Sequence, residues 1–318
     1  MRLALFLIGS LALAQSWQLQ ESGSTASLRG ISAVNGKVAW ASGAKGTVLR
    51  TTDGGATWST ISPSGAADAD FRDIEAIDER TAYAMSAGEG RASRIYKTAD
   101  AGVTWTMQRA NQDPDGFWDS FGMWDATHGI LMGDPVNGRF TILATNDGRT
   151  WNALEGPKVE KGEAAFAASG TALITRGTRE AWFASSIGRI FHTDDAGKTW
   201  AIARATVMPY GIAFAGKTGV AVGGDYQKPS ATQGNFAITE DGSKWTVPQS
   251  APRGYRSAVA YVADRKVWIT VGTSGSDASS DLRTWRGFDD GAFNALSVGT
   301  DGSVWAVGPE GKIAKLLF

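Results

Sequence analysis

The stretch Thr51-Thr-Asp-Gly-Gly-Ala-Thr-Trp58 recurs along the chain, and its recurrence decides the fold. Further copies begin at Thr98, Thr145, Thr193 and Thr239, and a worn copy runs from Ser280 to Trp285. The tryptophans that end these copies stand 47, 46, 49, 45 and 40 residues apart. A period of about 40–50 residues, filled with short alternating apolar segments, is typical of the blades of a β-propeller.

A template of four strands per repeat predicts an all-β, seven-bladed propeller with antiparallel blades. Seven first strands can be placed, beginning at Leu28, Phe71, Phe117, Gly162, Tyr210, Tyr255 and Phe293. The seventh repeat stops before a fourth strand, whereas Ser16-Trp17-Gln-Leu-Gln20 resembles the segment that follows each box. We therefore expect one domain, residues 15–318, in which the strand around Trp17 completes the last blade and closes the ring. Closure removes sheet edges that would otherwise pair with other chains.

The N-terminus has the pattern of a secretory signal peptide over residues 1–14. One charge at Arg2 precedes an apolar run from Leu3 to Leu13, and Ala12-Leu-Ala14 is an A-x-A cleavage site. The alternative is an uncleaved N-terminal anchor. No other long apolar stretch occurs, so we expect a mature monomer without a membrane span, exported to the periplasm or the medium. The absence of cysteine excludes a lipid-anchored N-terminal Cys.

Composition excludes several classes of function. The chain has 318 residues, 31 basic and 32 acidic side chains, and a net charge of −1, which gives no support to nucleic-acid binding. Without cysteine there is no thiolate nucleophile and no Cys-based metal site, and the two histidines have no partners at ligand spacing. Gly211 to Thr218 fits the P-loop pattern but lies in a predicted strand and not at a helix start. We assign no catalytic residue, metal or cofactor.

The repeated box favours a structural role. Its Asp side chain can accept hydrogen bonds from backbone N–H groups two or three residues later, which fixes a turn, and the glycine permits a positive φ. One aspartate per turn is a poor cation site, although metal or substrate binding is the alternative. The structural Asp-box residues are Asp53, Asp100, Asp147, Asp195 and Asp241.

The functional surface is predicted on the face away from the boxes, where the long loops emerge. The second position of the seven first strands should ring the channel mouth there, and it holds Arg29, Arg72, Trp118, Glu163, Gly211, Arg256 and Asn294. Closure of the ring would bring Arg256, Asn294, Arg29 and Arg72 together as a positive half-ring opposite Trp118 and Glu163, with Tyr255 beside it. Arginine clusters recognise carboxylates and phosphates. The alternative is that these arginines form structural ion pairs with Asp73, Asp119 or Glu163.

Two loops could extend the site. Asp134 and Arg139 lie on the predicted loop between the second and third strands of blade 3, and Asp225 and Tyr226 lie on that of blade 5. The alternative for both aspartates is ordinary turn chemistry.

The mature chain resembles the photosystem II stability and assembly factor family of Asp-box propellers. The resemblance rests on the boxes, on strands such as Phe71-Arg-Asp-Ile and Tyr255-Arg-Ser-Ala-Val, and on Met132-Gly-Asp-Pro135 and Val222-Gly-Gly-Asp-Tyr226. It implies an exported, non-catalytic scaffold that binds a protein or peptide partner, such as a membrane-protein precursor, through an Arg-rich patch.

Two alternatives stay open. The box also resembles that of the sialidases, which implies a glycoside hydrolase or lyase at the channel mouth; a Tyr–Glu nucleophile pair would then use Tyr210 or Tyr255 with Glu163. The expected Arg-Ile-Pro motif is missing, and fold alone does not imply function. The other alternative is a structural module of an envelope complex.

Overall fold

Seven four-stranded antiparallel sheets form a closed ring in the computed structural model, which describes residues 15–318. The predicted fold class is thereby confirmed. The predicted signal peptide, residues 1–14, lies outside the described residues. In the described part of the chain no helix has both the length and the apolar character needed to cross a membrane.

Each blade runs from an innermost to an outermost strand in chain order. Blades 1 to 3 consist of β2 (Leu28–Ala33), β3 (Ala39–Gly43), β4 (Val48–Thr51) and β5 (Ser59–Thr60); β6 (Asp70–Ala76), β7 (Ala82–Ala87), β8 (Arg94–Thr98) and β9 (Thr106–Ala110); and β10 (Trp118–Met123), β11 (Gly129–Val136), β12 (Arg139–Thr145) and β13 (Asn152–Leu154). One 3₁₀ turn, η1 (Gly90–Ala92), lies between β7 and β8.

Blades 4 to 7 repeat this order. They consist of β14 (Leu173–Arg176), β15 (Glu180–Ala184), β16 (Arg189–Thr193) and β17 (Ala201–Arg204); β18 (Pro209–Ala215), β19 (Thr218–Gly223), β20 (Phe236–Thr239) and β21 (Trp245–Thr246); β22 (Ala258–Val262), β23 (Val267–Gly272), β24 (Gly275–Ser279) and β25 (Arg286–Asp289); and β26 (Ala295–Val298), β27 (Val304–Val307) and β28 (Ile313–Leu317) with β1 (Ser16–Gln20).

The N-terminal strand closes the ring. β1 pairs antiparallel with β28, from Ser16 opposite Leu317 to Gln20 opposite Ile313. The Trp17 indole donates to Ser276 Oγ at 2.9 Å, and its ring packs against Phe293 at 5.1 Å between centroids. The last blade is therefore held by hydrogen bonds between the two ends of the described chain, by an aromatic contact within the blade, and by the Trp17 hydrogen bond to blade 6.

Tryptophans from the boxes pack against bulky side chains of the preceding blade. The Trp58 ring meets Trp305 edge-on at 5.8 Å, Trp105 meets Trp40 at 6.3 Å, and Trp151 meets Tyr83 at 6.5 Å. Trp40, Trp151 and Trp305 are all almost fully buried. Edge-to-face pairs of this kind contribute about 0.5–1.5 kcal/mol each beyond the area that they bury, so the repeated tryptophans hold adjacent blades together.

Each box forms the turn between the third and fourth strand of its blade. In the first box, Thr51 Oγ1 donates to Asp53 Oδ1 at 2.8 Å, and the Thr57 backbone N–H donates to the same oxygen at 2.9 Å. These hydrogen bonds, above all that from the Thr57 hydroxyl, lower the pKa of Asp53 to about 2. The sixth copy begins one residue earlier than predicted, because Ser279 Oγ donates to Asp281 Oδ1 as Thr51 does to Asp53.

The boxes and the turns between first and second strands share one face of the ring. The Gly54 N–H of the first box donates to the Lys37 carbonyl at 2.9 Å, and Ala101 of the second box donates to Arg80 at 2.8 Å. The remaining connections therefore emerge at the opposite end, which we call the loop face.

Blade 4 departs from the predicted template. Its first strand begins at Leu173 and not at Gly162, and residues 155–172 form a long connection from β13. Within it, residues 166–171 cross the central channel: Ser169 Oγ donates to the Ser257 carbonyl at 3.0 Å, and the Thr171 carbonyl accepts from Ile212 N–H at 2.9 Å. We call residues 166–171 the channel plug, because they separate the channel from the loop face.

Candidate functional site

In four blades a β-bulge leaves one residue of the first strand unpaired near the channel mouth. In blade 1, Leu28 pairs with Gly43 and Gly30 pairs with Ser42, so Arg29 is the extra, unpaired residue. The same interruption leaves Arg72 unpaired in blade 2, Asp119 in blade 3 and Tyr210 in blade 5. Bulges of this kind redirect side chains beside functional sites.

Arg29, Arg72 and Tyr210 contribute to a pocket of about 410 Å³ on the loop face, which we call the mouth pocket. It lies over the channel plug and receives residues from five blades and from the plug itself. The lining consists of Arg29, Arg72, Phe166, Ala167, Ala168, Tyr210, Tyr226, Tyr255, Ser257, Thr273 and Asn294.

Arg29 is the free cation of the mouth pocket. Its half-buried guanidinium makes no hydrogen bond or ion pair with any residue among 15–318. Burial lowers the pKa of Arg29 and the nearby Arg72 charge lowers it further, although Asp70 opposes both effects. The group stays protonated because the pKa of arginine begins so high. An anion in the pocket would therefore supply a partner that the protein does not.

Arg72 is held by its own blade and by the plug. Its Nε lies 2.7 Å from Asp70 Oδ2, and its Nη1 donates to the Ala167 carbonyl at 3.0 Å. Asn294 is likewise engaged, since its side-chain amide donates to the Leu28 carbonyl at 2.8 Å. Arg72 and Asn294 thus form a fixed wall beside the free Arg29.

Aromatic rings form the other side of the mouth pocket. Phe166 stacks on Tyr210 with centroids 3.9 Å apart, and Tyr255 meets Tyr210 edge-on at 5.1 Å. Tyr226 remains 57% exposed at the rim. Burial raises the pKa of both Tyr210 and Tyr255, so both phenols are neutral at physiological pH. The pocket therefore combines a free cation with flat apolar surfaces and phenolic hydroxyls.

The predicted half-ring is partly wrong, because the alignment is one residue out in blades 3, 5 and 6. Trp118 pairs with Gly133 as Leu28 pairs with Gly43, so it is a buried core residue and does not line the mouth. In blade 6, Arg256 packs its Cα on Gly272 as Leu28 packs on Gly43, and it is 0% exposed. Arg29, Arg72 and Asn294 do come together at the mouth pocket, whereas Arg256 lies beneath it.

Arg256 forms a buried ion pair with a partner that the sequence did not indicate. Its Nε donates to Asp277 Oδ2 at 2.8 Å, and its Nη2 contacts the same oxygen. Its Nη1 donates to the Tyr255 carbonyl at 2.7 Å and to Ser274 Oγ at 2.9 Å. This guanidinium holds Tyr255 in place from below but cannot reach a ligand in the pocket.

Glu163 also lies away from the mouth. It is buried in the connection before β14, where Arg189 Nη1 donates to its Oε2 at 2.7 Å. Because Glu163 does not line the mouth pocket, the Tyr–Glu pair considered for a sialidase-like reaction does not form with Tyr210 or Tyr255.

Asp119 and Asp134 support the pocket from blade 3. Asp119 is 3% exposed, its Oδ2 accepts no hydrogen bond within residues 15–318, and burial together with the Asp134 charge raises its pKa well above the usual range. Asp134 Oδ1 accepts from the Ala165 N–H at 2.8 Å, directly before the plug. Asp134 therefore anchors the connection that carries the plug.

Arg139 and Asp225 are engaged outside the mouth pocket, Arg139 by the connection that follows β13 and Asp225 within its own loop. Arg139 Nη1 donates to the Gly156 carbonyl at 2.7 Å, and Asp225 Oδ1 accepts from the Gln227 N–H at 2.9 Å. Among residues 15–318 no group of three or more His, Cys, Asp or Glu side chains is arranged to hold a metal ion.

Ser257 and Phe166 belong to the mouth pocket but were not predicted there, and Tyr210 was considered only as a nucleophile under the sialidase-like alternative. Tyr210 comes one residue before, and Ser257 one residue after, the residue that the template chose. The position of Phe166 could not be predicted, because its segment looks like part of the first strand of blade 4.

The comparisons with known proteins agree with the fold. The family model of the photosynthesis system II assembly factor YCF48 matches residues 14–116. No curated protein sequence gives a significant match.

Several solved structures are similar over nearly the whole chain. A YCF48 bound to a D1 peptide has a TM-score of 0.71 and 15% identity, covering 98% of this chain and 100% of that one. YCF48 from Cyanidioschyzon merolae has a TM-score of 0.69 and 16% identity, covering 94% and 98%. A streptogramin B lyase has a TM-score of 0.67 and 14% identity, covering 96% and 98%. At these identities the likeness shows the fold.

The resemblance predicted from the sequence is thus confirmed: the chain is similar to the photosystem II assembly factor YCF48 family, in sequence over its first third and in fold over nearly its whole length.

Proposed function

We propose that the protein is an exported, monomeric, non-catalytic scaffold that binds a peptide segment of a partner protein in the mouth pocket. The free guanidinium of Arg29 carries this proposal. A half-buried cation without a protein acceptor is costly unless a ligand pairs with it, and a carboxylate fits its planar fork.

The rest of the pocket suits a peptide. Tyr210, Tyr226 and Tyr255 present rigid surfaces that bury apolar side chains at a small entropic cost and offer hydroxyls to a backbone. The volume of about 410 Å³ accommodates a terminal residue or one acidic side chain and not a whole domain. The similar YCF48 structure that was solved with a D1 peptide supports this class of partner.

The aromatic chemistry favours binding over glycoside cleavage. A tyrosine nucleophile needs an adjacent base, but Glu163 is engaged with Arg189 outside the pocket. The pKa values of Tyr210 and Tyr255 are raised, which opposes formation of the phenolate.

The test measures affinity for a labelled D1 peptide by fluorescence anisotropy. The parent should bind, and Arg29→Ala should weaken binding about 10- to 100-fold, because a charge-assisted hydrogen bond contributes about 1.5–3 kcal/mol. The matched control is Arg286→Ala, an exposed arginine on an outer strand, which should bind as the parent does. Absence of binding by the parent, or equal affinities for the parent and Arg29→Ala, would contradict the proposal.

Export is proposed from the N-terminal pattern. Sequencing of the N-terminus of the protein recovered from periplasm or medium should begin at Gln15. Recovery from the cytoplasm with residues 1–14 retained would be evidence against it.

A further inference from the structure

The central channel is a second cavity, separate from the mouth pocket. Its volume is about 400 Å³, and it is lined by the innermost strands of all seven blades. Gly170 and Thr171 of the channel plug lie at its inner end, whereas Phe166 and Ala167 face the mouth pocket, and the two cavities share no lining residue. The channel is therefore a cup closed at the loop face.

The charge in this cup comes from one strand. Asp73 and Glu75, two residues apart on β6, are its only charged lining residues, and Tyr261 is the only other titratable one. The positions that correspond to Glu75 in other blades carry small or apolar side chains: Ser32, Gly122, Ala213, Ala260 and Ser297. Within the described residues no lysine, arginine or histidine lines the cavity, so no cation among them neutralises the two carboxyl groups.

Asp73 accepts two hydrogen bonds at one carboxylate oxygen, whereas Glu75 accepts one. Asp73 Oδ2 accepts from Ser120 Oγ at 2.8 Å and from the Phe121 N–H at 3.1 Å. Glu75 Oε2 accepts from the Met123 N–H at 2.8 Å, and its Oε1 accepts no hydrogen bond from residues 15–318. Glu75 therefore has an acceptor available to an occupant of the channel.

Burial makes ionisation of these groups costly. It raises the pKa of Asp73 to about 6, and burial together with the neighbouring Asp73 raises the pKa of Glu75 to about 8. A cation beside Glu75 would offset that cost, because an opposite charge within a few ångströms favours the ionised carboxylate.

The walls decide which cation fits. About half of the lining residues are aliphatic, among them Ile31, Ile212, Val259 and Leu296. A calcium ion takes six to eight oxygen ligands, and among residues 15–318 no group of three or more acidic side chains is arranged to hold a metal ion, whereas a protonated amine needs one carboxylate and can bury an apolar body. We propose that the channel binds a small organic ammonium ion, which pairs with Glu75 and packs its carbon skeleton against the aliphatic wall. This site goes beyond the proposed function and does not depend on it.

The test is calorimetric titration of the full chain with phenethylammonium at pH 7. The cation should bind, whereas neutral 2-phenylethanol and anionic phenylacetate, which have the same aromatic body, should bind at least tenfold more weakly. Binding should release close to one proton, measured from the difference in heat between phosphate and Tris buffers, because the ammonium ion displaces the proton that Glu75 holds.

The variants separate this site from its surroundings. Glu75→Gln keeps an acceptor for the Met123 N–H but loses the charge, so the affinity for phenethylammonium should fall at least tenfold and proton release should disappear. Glu79→Gln removes an exposed glutamate a few residues away, and Arg29→Ala alters the mouth pocket; both should bind the amine as the parent does. Equal binding of the cation and the alcohol, an unchanged affinity in Glu75→Gln, or binding of Ca²⁺ alone would overturn the proposal.

Discussion

The ion pair between Arg256 and Asp277 offers the sharpest test of the structure, because both side chains are fully buried. Asp277→Asn would leave the Arg256 guanidinium in the core with neutral acceptors only. Loss of one partner of a buried pair costs about 3–5 kcal/mol. Arg256→Met should cost a similar amount, since Asp277 would retain only the half-exposed Arg253.

The expected change is large enough to measure by thermal unfolding. With an unfolding entropy of about 2 cal/mol/K per residue over roughly 300 residues, 4 kcal/mol lowers Tm by about 6 °C. The double variant Arg256→Met/Asp277→Asn should be less destabilised than the sum of the two single variants by about 1–3 kcal/mol, because the residues act as a pair. Urea unfolding followed by tryptophan fluorescence provides the free energies for this cycle.

The control is Arg286→Met, which replaces an exposed arginine of the same blade and should stay within about 0.5 kcal/mol of the parent. Single variants at Arg256 and Asp277 within about 1 kcal/mol of the parent, or strictly additive effects, would refute the assignment of Arg256 to the core. Loss of peptide binding in Arg256→Met without loss of stability would instead indicate that Arg256 lies at the mouth of the channel.

Three further predictions concern the ring, the boxes and the channel. Trp17→Ala should destabilise the fold by about 2–4 kcal/mol in urea unfolding, because it removes the ring that packs against Phe293 at the closing strand. Leu19→Ala, at a side chain that is 66% exposed, should cost less than about 1 kcal/mol. Asp53→Ala should lower Tm at pH 7 but have little effect on Tm at pH 2. The lowered pKa of Asp53 gives stability that is present above pH 3.8 and lost as the pH falls through about 2. An equal loss of Tm at both pH values would contradict this prediction. The pH dependence has the opposite sign for Glu75, whose raised pKa gives stability that is complete below pH 4.5 and lost as the pH rises through about 8. Glu75→Gln should therefore reduce the fall in Tm over that pH range. Parallel curves of Tm against pH for the variant and the parent would rule this out.

The sequence predicts the number of blades and the closure of the ring because both depend on a repeated turn. Thr51 and Asp53 fix the turn of the box, and Trp58 packs against the preceding blade. Because these roles are local, the spacing of the three residue types identifies a blade wherever it recurs. Trp17 is recognised for the same reason, as the missing member of a series.

The mouth of the channel is harder to predict because a bulge shifts the register by one residue. Strand alternation alone does not distinguish Arg256 from Ser257 as the residue that faces the pocket, since either choice leaves an apolar strand after it. In blade 4 the run Ala164-Ala-Phe-Ala-Ala168 looks like a strand but crosses the channel as part of a long connection. The acidic pair in the channel could have been noticed from the sequence, since blade 2 alone has two acidic residues, Asp73 and Glu75, at alternate positions of its first strand.

The pairing of β1 with β28 has a consequence for how the molecule folds. Ser16 and Leu317 are 301 residues apart in sequence, and contacts of such separation form late because the chain must first be brought together. Until β1 arrives, β28 presents an unpaired edge at which a second chain could add its own N-terminal strand. The step that completes the monomer is therefore also the step at which two chains could exchange strands, so we expect crowded refolding to yield strand-swapped dimers before any other misfolded product.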